Sequence, residues 1–239
     1  MSGCTLPVAI LSGGLATRLR PITATIPKAM IELNGEPFIA HQLRLLFSSG
    51  IKDVVLCVGY RGETIRDFVG NGSRYGLRVE FSFDGPTLLG TAGAIRRALP
   101  LLDRNFFVLY GDSYLPCDYS AICSTFLQSG KRGLMTVFLN EGKFDSSNVE
   151  YRNGLIVRYE KNFRNAEMRH IDYGLGAFQA EVFNDLPEGV PCDLARVYQD
   201  LLSTGDLAAL EVSERFYEIG SLQGIEETAE YLRRAAAPR

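Results

Sequence analysis

The stretch LSGGLATRLRPITATIPKAM, residues 11–30, contains a pair of glycines followed at intervals by Arg18 and Lys28. Gly13 and Gly14 carry no Cβ, so the backbone N–H groups of this turn can come close to phosphate oxygens. Arg18 lies four residues beyond Gly14, and Lys28 lies ten residues beyond Arg18. An arginine fork and a lysine point charge suit a polyphosphate better than a single phosphate. A surface turn with solvated cations is the plainer alternative, and this pattern alone leaves it open.

The residues before this turn predict a buried strand. VAIL (8–11), VVLCV (54–58) and FFVLY (106–110) are continuously apolar, which is typical of parallel strands covered on both faces. A turn that directly follows the first of these strands lies at the carboxyl edge of the sheet, where open α/β sheets bind ligands. The turn matches neither GxGxxG nor the Walker A pattern, so the sequence favours neither of those nucleotide-binding motifs.

Amphipathic segments alternate with these strands in the first half of the chain. PFIAHQLRLLFSSG, GETIRDFVGNG and TAGAIRRALPLL predict helices, the last with Thr91 as its cap and a break near Pro100. In the second half, GLMTVFL, SNVEYRNGLIVRYEK and IDYGLGAFQ predict strands, with a hairpin turn at Asn153 and Gly154. LARVYQDLLSTG and SLQGIEETAEYLRRA predict two further helices, and we assign the apolar stripe of the second to core packing. We therefore expect an α/β fold with a mixed, mainly parallel central sheet, in a single domain over residues 1–239.

Composition excludes several classes of partner. The chain is 46% hydrophobic and 22% charged with a net charge of -3, and it has no polybasic stretch. We therefore expect neither nucleic acid nor a membrane surface as partner, and we expect a cytoplasmic protein because no export signal or membrane span is evident. Five cysteines with no CxxC spacing predict reduced structural thiols instead of disulfides or a zinc site.

Several ordered motifs then carry a resemblance to a known family. The 11–30 stretch resembles the signature GGxGTRLxPLTxxxPKxM of the sugar-1-phosphate nucleotidylyltransferases, and LGTAGAI, YGDSYL, EK, IDYGLGAF and FYEIGS follow it along the chain. Ala16 together with DYG and YEIGS most resembles the D-glycero-D-manno-heptose 1-phosphate guanylyltransferases. The resemblance implies a Rossmann-like, GT-A-like three-layer sandwich. It also implies the condensation of a sugar 1-phosphate with a nucleoside triphosphate.

The implied reaction needs charge neutralisation more than it needs a general base. The attacking sugar phosphate is already an anion, and the chain has only two histidines, His41 and His170, neither paired with an evident Ser or Cys nucleophile. Asp112 follows the FFVLY strand, where a hard carboxylate suits Mg²⁺ on a triphosphate, although a loop cap would also explain it. Glu218 stands where the family usually has Asp, so it is the second candidate metal ligand.

The resemblance assigns the remaining site residues. Lys161 matches the family lysine that meets the sugar phosphate, Glu160 matches the carboxylate that binds sugar hydroxyls, and Asn162 replaces the usual Pro. A surface charge pair is the alternative interpretation of Glu160 and Lys161. Asp172 and Gly174 are the other sugar-binding candidates. The nucleotide-binding candidates are Leu11, Gly13, Gly14, Asp84, Gly90, Thr91 and Gly93, and the catalytic candidates are Arg18, Lys28, Asp112 and Lys161.

Asp84 is the candidate residue for recognising the base of the nucleotide. Guanine presents N1–H and N2–H₂ donors, which a carboxylate accepts, whereas uracil and thymine present acceptors that it would repel. Asp84 could equally open the turn formed with Gly85 and Pro86.

We therefore predict a nucleotidylyltransferase that uses GTP, Mg²⁺ and a heptose or mannose type sugar 1-phosphate. Two alternatives remain open: the same fold acting on glucose or amino-sugar 1-phosphate with UTP, CTP or dTTP, and a noncatalytic relative that senses nucleotide sugars. Because family members are often dimers or tetramers, the resemblance also allows a homo-oligomer.

Overall fold

The computed structural model describes residues 4–15, 17–19 and 21–236. The strands are β1 (Val8–Ser12), β2 (Glu32–Leu33), β3 (Glu36–Pro37), β4 (Asp53–Val58), β5 (Arg78–Phe83), β6 (Asn105–Tyr110), β7 (Ser113–Tyr114), β8 (Gly133–Leu139), β9 (Val149–Arg152), β10 (Leu155–Tyr159), β11 (His170–Gln179), β12 (Leu207–Val212) and β13 (Tyr217–Glu218). The α-helices are α1 (Phe38–Ser48), α2 (Gly62–Val69), α3 (Gly90–Ala98), α4 (Tyr119–Ser129), α5 (Leu194–Ser203) and α6 (Leu222–Ala236).

A mixed sheet forms the centre of the molecule. Over the described residues it has nine strands, and its main path runs β10-β9-β11-β6-β1-β4-β5. The neighbours β6, β1, β4 and β5 are all parallel, while β11 runs antiparallel to β6 and also pairs with β8, which carries β12 in parallel. This confirms the predicted α/β fold with a mixed, mainly parallel sheet.

Both faces of the sheet are covered, which explains the continuously apolar strands. Val8 and Ile10 of β1 pack with α1, α2 and α4, whereas Ala9, one residue away, packs with α3 and α5 on the opposite face. Together the two helical layers and the sheet make the expected three-layer sandwich. Helix α6 packs separately, where Leu232 lies against a small apolar cluster that includes Leu19 and Phe38.

The expected core packing of the α6 stripe holds for Ile225, Ala229 and Leu232 but not for Leu222, and the expectation of reduced cysteines is wrong for one pair. Leu222 of the α6 stripe is 63% exposed, because it lies in the first turn, outside that cluster; Leu232, one of the other stripe residues, is buried. Cys4 and Cys123 form a disulfide, with their Cα atoms 5.8 Å apart. The segment before β1 and helix α4 pack in the same core cluster, which brings together two cysteines 119 positions apart.

The predicted hairpin turn between β9 and β10 is confirmed. β9 and β10 pair antiparallel, and Asn153 and Gly154 both have positive φ, as a tight two-residue turn requires. The short strands β7 and β13 form a separate ladder that pairs Ser113 with Glu218. No helix within the described ranges combines the length and the apolar content needed to cross a membrane.

The core predicts a sharp contrast between two leucine-to-alanine substitutions. Leu134 of β8 is fully buried, so Leu134→Ala should lower the free energy of unfolding by about 2–5 kcal/mol through lost contacts and a cavity. Leu155 of edge strand β10 is 65% exposed, so Leu155→Ala, the matched control, should cost less than about 1 kcal/mol. Urea denaturation of both variants measures this, and equal losses would contradict the assignment of β8 to the core.

Candidate active site

The carboxyl ends of four parallel strands meet at one edge of the sheet. β1 leads into Gly13, β4 into Gly59, β5 into Asp84, and β6 into Gly111 and Asp112. These ends surround a cavity of about 330 Å³. The cavity is lined by Leu11, Ser12, Gly13, Gly14, Lys28, Ala29, Cys57, Asp84, Leu88, Gly90, Thr91, Ala94, Tyr110, Gly111 and Asp112. It therefore brings together the predicted glycine turn, Lys28, Asp112 and most of the predicted nucleotide-binding residues.

An ion pair lies in the lining of this cavity. Lys28 Nζ lies 2.7 Å from Asp112 Oδ2, with the two side chains 20% and 38% exposed. Lys28 begins a short 3₁₀ helix, Lys28–Met30, after Pro27, and Asp112 follows the last residues of β6. A cation and a carboxylate are thus held together on the wall of the cavity.

A glycine is required beside the aspartate. A Cβ on Gly111 would lie 2.6 Å from the carbonyl oxygen of Leu11 and would also clash with the Ser12 hydroxyl. Gly111 N donates to that same carbonyl at 3.0 Å, so the ends of β1 and β6 are tightly joined. Ser12 Oγ is buried at this junction without a hydrogen-bond partner in the described structure. The close approach places Asp112 directly beside the Gly13 turn.

Asp84 both shapes a turn and faces the cavity. Its Oδ2 accepts a hydrogen bond from Leu89 N at 3.2 Å, which ties down the loop that leads into α3. The residue is 4% exposed, and burial raises the pKa of its carboxyl despite that hydrogen bond. The same carboxylate lies 3.2 Å from the position of a Cβ on Gly13. A role of Asp84 in the turn and a role in recognising the base are therefore compatible in this fold.

Two nucleotide-binding candidates are placed differently from the sequence prediction. Thr91 lines the cavity, but it does not cap α3, which begins at Gly90 without a side-chain cap. Its Oγ1 instead accepts from Leu194 N at 2.6 Å, because α5 starts against α3. Gly93 is absent from the lining: it is buried against the 190–192 segment, where Gly93 N bonds Cys192 O at 3.3 Å.

The sugar-binding candidates lie beyond Tyr110, on the far side of the cavity wall. The ring of Tyr110 is 3.3 Å from the position of a Cβ on Gly174, which has φ +100 at an irregularity in β11. The Tyr110 hydroxyl is also a neighbour of Asp172 and acts to lower the pKa of its carboxyl. Sequence reasoning missed Tyr110, although its place at the end of a parallel strand was a usable signal.

The Asp172 carboxyl is buried, which disfavours its charged form. Its Oδ1 accepts from Gly174 N at 3.0 Å, and Tyr159 donates to Oδ2 at 3.4 Å. Burial raises the pKa of Asp172 to about 6, while these hydrogen bonds and the charge of Lys161 oppose the rise. Perturbed carboxyl groups of this kind are concentrated at functional sites.

Lys161 and Glu160 each have a specific partner. Lys161 Nζ lies 2.7 Å from Asp193 Oδ1 and 2.9 Å from Oδ2. Glu160 Oε2 accepts from Gln199 Nε2 at 3.2 Å. The plain i,i+1 charge-pair interpretation is therefore wrong, because each residue binds a partner from α5 or its N-cap and not its neighbour.

Glu218 is committed to local hydrogen bonds. Its carboxylate accepts from Gly220 N and, at 2.9 Å, from Ser221 Oγ, at the start of α6. Over residues 4–15, 17–19 and 21–236, no group of three or more His, Cys, Asp and Glu side chains is arranged to hold a metal ion. Any divalent ion here would need oxygen ligands from a substrate besides Asp112.

The remaining candidates are either structural or outside the described region. His41 Nε2 bonds Leu33 O at 3.0 Å, and His170 Nε2 bonds Glu211 Oε1 at 3.1 Å; neither lines the cavity. The side chain of Arg18 and the whole of Ala16 lie outside the residues that the structure describes. The role of Arg18 therefore stays a prediction from the motif.

Comparison with known proteins gives three kinds of match. Residues 8–161 match the family model described as Nucleotidyl transferase. A D-glycero-alpha-D-manno-heptose 1-phosphate guanylyltransferase of Campylobacter jejuni is 32% identical over 177 residues, 74% of this chain and 77% of that protein. A Mannose-1-phosphate guanyltransferase of Yarrowia lipolytica is 42% identical over 114 residues, 46% of this chain, and the match spans only 31% of that protein.

Solved structures share the fold. HddC from Yersinia pseudotuberculosis, in a complex with GMP-PN, superposes with a TM-score of 0.78 at 23% identity, covering 95% of this chain and all of that one. A putative glucose-1-phosphate thymidylyltransferase from Bacillus anthracis gives a TM-score of 0.84 at 19% identity, covering 98% and 97%. These likenesses concern the fold alone.

The environment of Asp172 predicts a pH-dependent stability difference. Because its folded pKa is raised, the folded state binds more protons than the unfolded state between about pH 4 and 6, so wild-type stability should fall as the pH rises through that window. Asp172→Asn keeps an acceptor for Gly174 N and has no charge to bury. The variant should therefore gain roughly 2–3 kcal/mol relative to wild type between pH 4 and 7.

Chemical denaturation at several pH values measures that gain. Asp185→Asn is the control, since Asp185 is an exposed carboxylate. A difference between Asp172→Asn and wild type that stays constant with pH, or that matches the Asp185 control, would show that Asp172 is not held at a raised pKa.

Proposed function

This chain belongs to the nucleotidyl transferase family, and from that premise we propose that it condenses a sugar 1-phosphate with a nucleoside triphosphate, releasing pyrophosphate. The supporting observation is the cavity at the carboxyl edge of the sheet, which holds the Gly13 and Gly14 turn, Lys28 and Asp112 within one enclosure. GTP and a heptose or mannose type sugar are the substrates we propose. A cytoplasmic location, with access to the triphosphate pool, is part of the proposal.

The chemistry requires no protein nucleophile. A phosphate oxygen of the sugar 1-phosphate attacks the α-phosphorus of the triphosphate, a new P–O bond forms, and the bond to the bridging oxygen breaks as pyrophosphate leaves with that electron pair. Cys57 is the only thiol among the described residues that line the cavity, and burial raises its pKa to about 12. It is therefore protonated and unsuited to covalent catalysis.

Positioning and charge would then supply the catalysis. The glycine turn lets backbone N–H groups meet phosphate oxygens, and Lys28 offers a point charge to the oxygens that gain negative charge as pyrophosphate leaves. Arg18, from the motif, is proposed to grip the same leaving group. Lys161 is proposed to hold the phosphate of the sugar substrate, while Glu160, Asp172 and Gly174 meet the sugar.

The donor set at the cavity fits Mg²⁺ held jointly with substrate. Mg²⁺ is commonly bound by one or two carboxylates together with substrate phosphates and water. Asp112 supplies one such carboxylate on the cavity wall, whereas the oxygens of Glu218 serve Gly220 N and Ser221 Oγ. We therefore propose Asp112 as the main protein ligand, with Glu218 as the less favoured second. When bound, the ion would neutralise the charge of the triphosphate.

Pyrophosphate release from a panel of triphosphates and sugar 1-phosphates tests the function. Wild type should release pyrophosphate fastest with GTP and a heptose or mannose 1-phosphate, and only when both substrates and Mg²⁺ are present. Asp112→Asn keeps the shape of the side chain but removes the charge, so turnover should fall about 10²-fold or more. Asp103→Asn, an exposed carboxylate in the loop before β6, is the matched control and should keep wild-type turnover. No release with any pair of substrates would reject the function, and a fully active Asp112→Asn variant would reject the metal assignment.

The base assignment has its own test at Asp84. If its carboxylate accepts from guanine N1–H and N2–H₂, Asp84→Asn should reduce the preference for GTP over UTP by roughly 1–3 kcal/mol. The variant can still accept from Leu89 N, so the loop into α3 should persist. The ratio of kcat/KM values for the two triphosphates measures the effect. A parallel loss for both would mean that Asp84 acts only on the turn, and a wild type that prefers UTP would contradict the choice of GTP.

A further inference from the structure

Asp193 joins two parts of the site that are distant in sequence. Both of its carboxylate oxygens lie within 2.9 Å of Lys161 Nζ, and its Oδ1 also accepts from Ala195 N at 2.8 Å, which makes it the N-cap of α5. Burial alone would raise the pKa of Asp193, but the bonds from Lys161, Ala195 N and Thr91 together lower it. The bonds from Lys161 and Ala195 N therefore favour the charged form of this carboxylate.

Thr91 connects the same carboxylate to the nucleotide-bordering cavity. Its hydroxyl accepts from Leu194 N at 2.6 Å, next to Asp193 in the chain, and helps to lower the pKa of that carboxyl; Thr91 itself lines the cavity. Thr91 thus lies between Asp193 and the cavity, and Asp193 itself contacts Lys161.

Backbone hydrogen bonds fix the segment that carries Asp193. Cys192 N donates to Leu89 O at 2.9 Å, and Cys192 O accepts from Ala92 N at 2.9 Å. The residues before α5 are therefore bonded on both sides to the first turn of α3. The backbone next to Asp193 is thus tied to the turn that borders the cavity.

We propose that Asp193 is a positioning residue. It holds the Lys161 ammonium at a fixed position relative to the cavity, so that the ammonium meets the phosphate of the sugar substrate. The inference rests on the proposed function, in which Lys161 binds that phosphate. Lys161 is 39% exposed on a four-carbon arm, so without an anchor its ammonium would sample many positions. The anchored carboxylate restricts that freedom before the sugar phosphate binds.

A second helix cap in the chain separates this role from capping. Asp118 caps α4 by accepting from Ala121 N at 3.0 Å, and no ion pair of Asp118 is found among the described residues. Asn is as good an N-cap as Asp, so both Asp193→Asn and Asp118→Asn keep a capping oxygen. Only Asp193→Asn removes a negative charge that binds a lysine, Lys161.

Steady-state kinetics of wild type and four variants test the proposal. Asp193→Asn should raise the KM for sugar 1-phosphate about fivefold, the scale of one partly exposed ion pair, and leave the KM for the triphosphate within about twofold. Asp118→Asn should leave both unchanged. In the Lys161→Ala background, adding Asp193→Asn should have no further effect, because the lysine through which it acts is gone.

The labelling rate of Lys161 gives a readout independent of turnover. Acetylation by an N-hydroxysuccinimide ester, followed by peptide mass spectrometry, should be about threefold faster at Lys161 in Asp193→Asn, and unchanged in Asp118→Asn. A KM effect that persists in the Lys161→Ala background, a lower KM for sugar 1-phosphate, or an unchanged labelling rate would each overturn the proposal. Failure of the function itself is recognised separately, since wild type would then release no pyrophosphate with any pair of substrates.

Discussion

The ion pair between Lys28 and Asp112 is the contact on which the arrangement of the candidate active site depends. Its 2.7 Å separation ties the short helix after the glycine turn to the end of β6. Ile219 N then donates to Asp112 O at 3.0 Å, so the same aspartate brings β13 and the start of α6 to the cavity. Because both side chains are partly exposed, the pair contributes little to stability, and its importance lies in placing opposite charges at one point.

Two polar connections extend from this cavity towards the sugar-binding candidates. Tyr110 lines the cavity and is a neighbour of Asp172, whereas Thr91 lies beside Asp193, which binds Lys161. The two routes use opposite parts of the fold: one crosses the sheet between β6 and β11, and the other crosses the helical layer between α3 and α5. Rigid elements therefore connect the proposed nucleotide site with the proposed sugar site, which suits a reaction that depends on positioning.

Sequence reasoning succeeded where the determinants are local. The apolar runs of β1, β4 and β6 predict buried parallel strands, and ordered motifs predict the family, which the comparisons confirm. It missed β5, whose exposed Arg78 and Glu80 interrupt the apolar pattern. Long-range partners were equally out of reach: Thr91 bonds Leu194 N 103 positions away, and Cys4 pairs with Cys123. These contacts arise from how layers pack, which no short stretch of sequence encodes.

A crystal structure with Mn²⁺ in place of Mg²⁺ and a nonhydrolysable GTP analogue tests most directly whether this cavity binds a metal-bound triphosphate. We expect an anomalous manganese peak in contact with the Asp112 carboxylate, phosphate oxygens at the Gly13 and Gly14 turn within reach of Lys28, and the base beside Asp84. A nucleotide bound elsewhere, or a manganese ion in the cavity that does not touch Asp112, would contradict it.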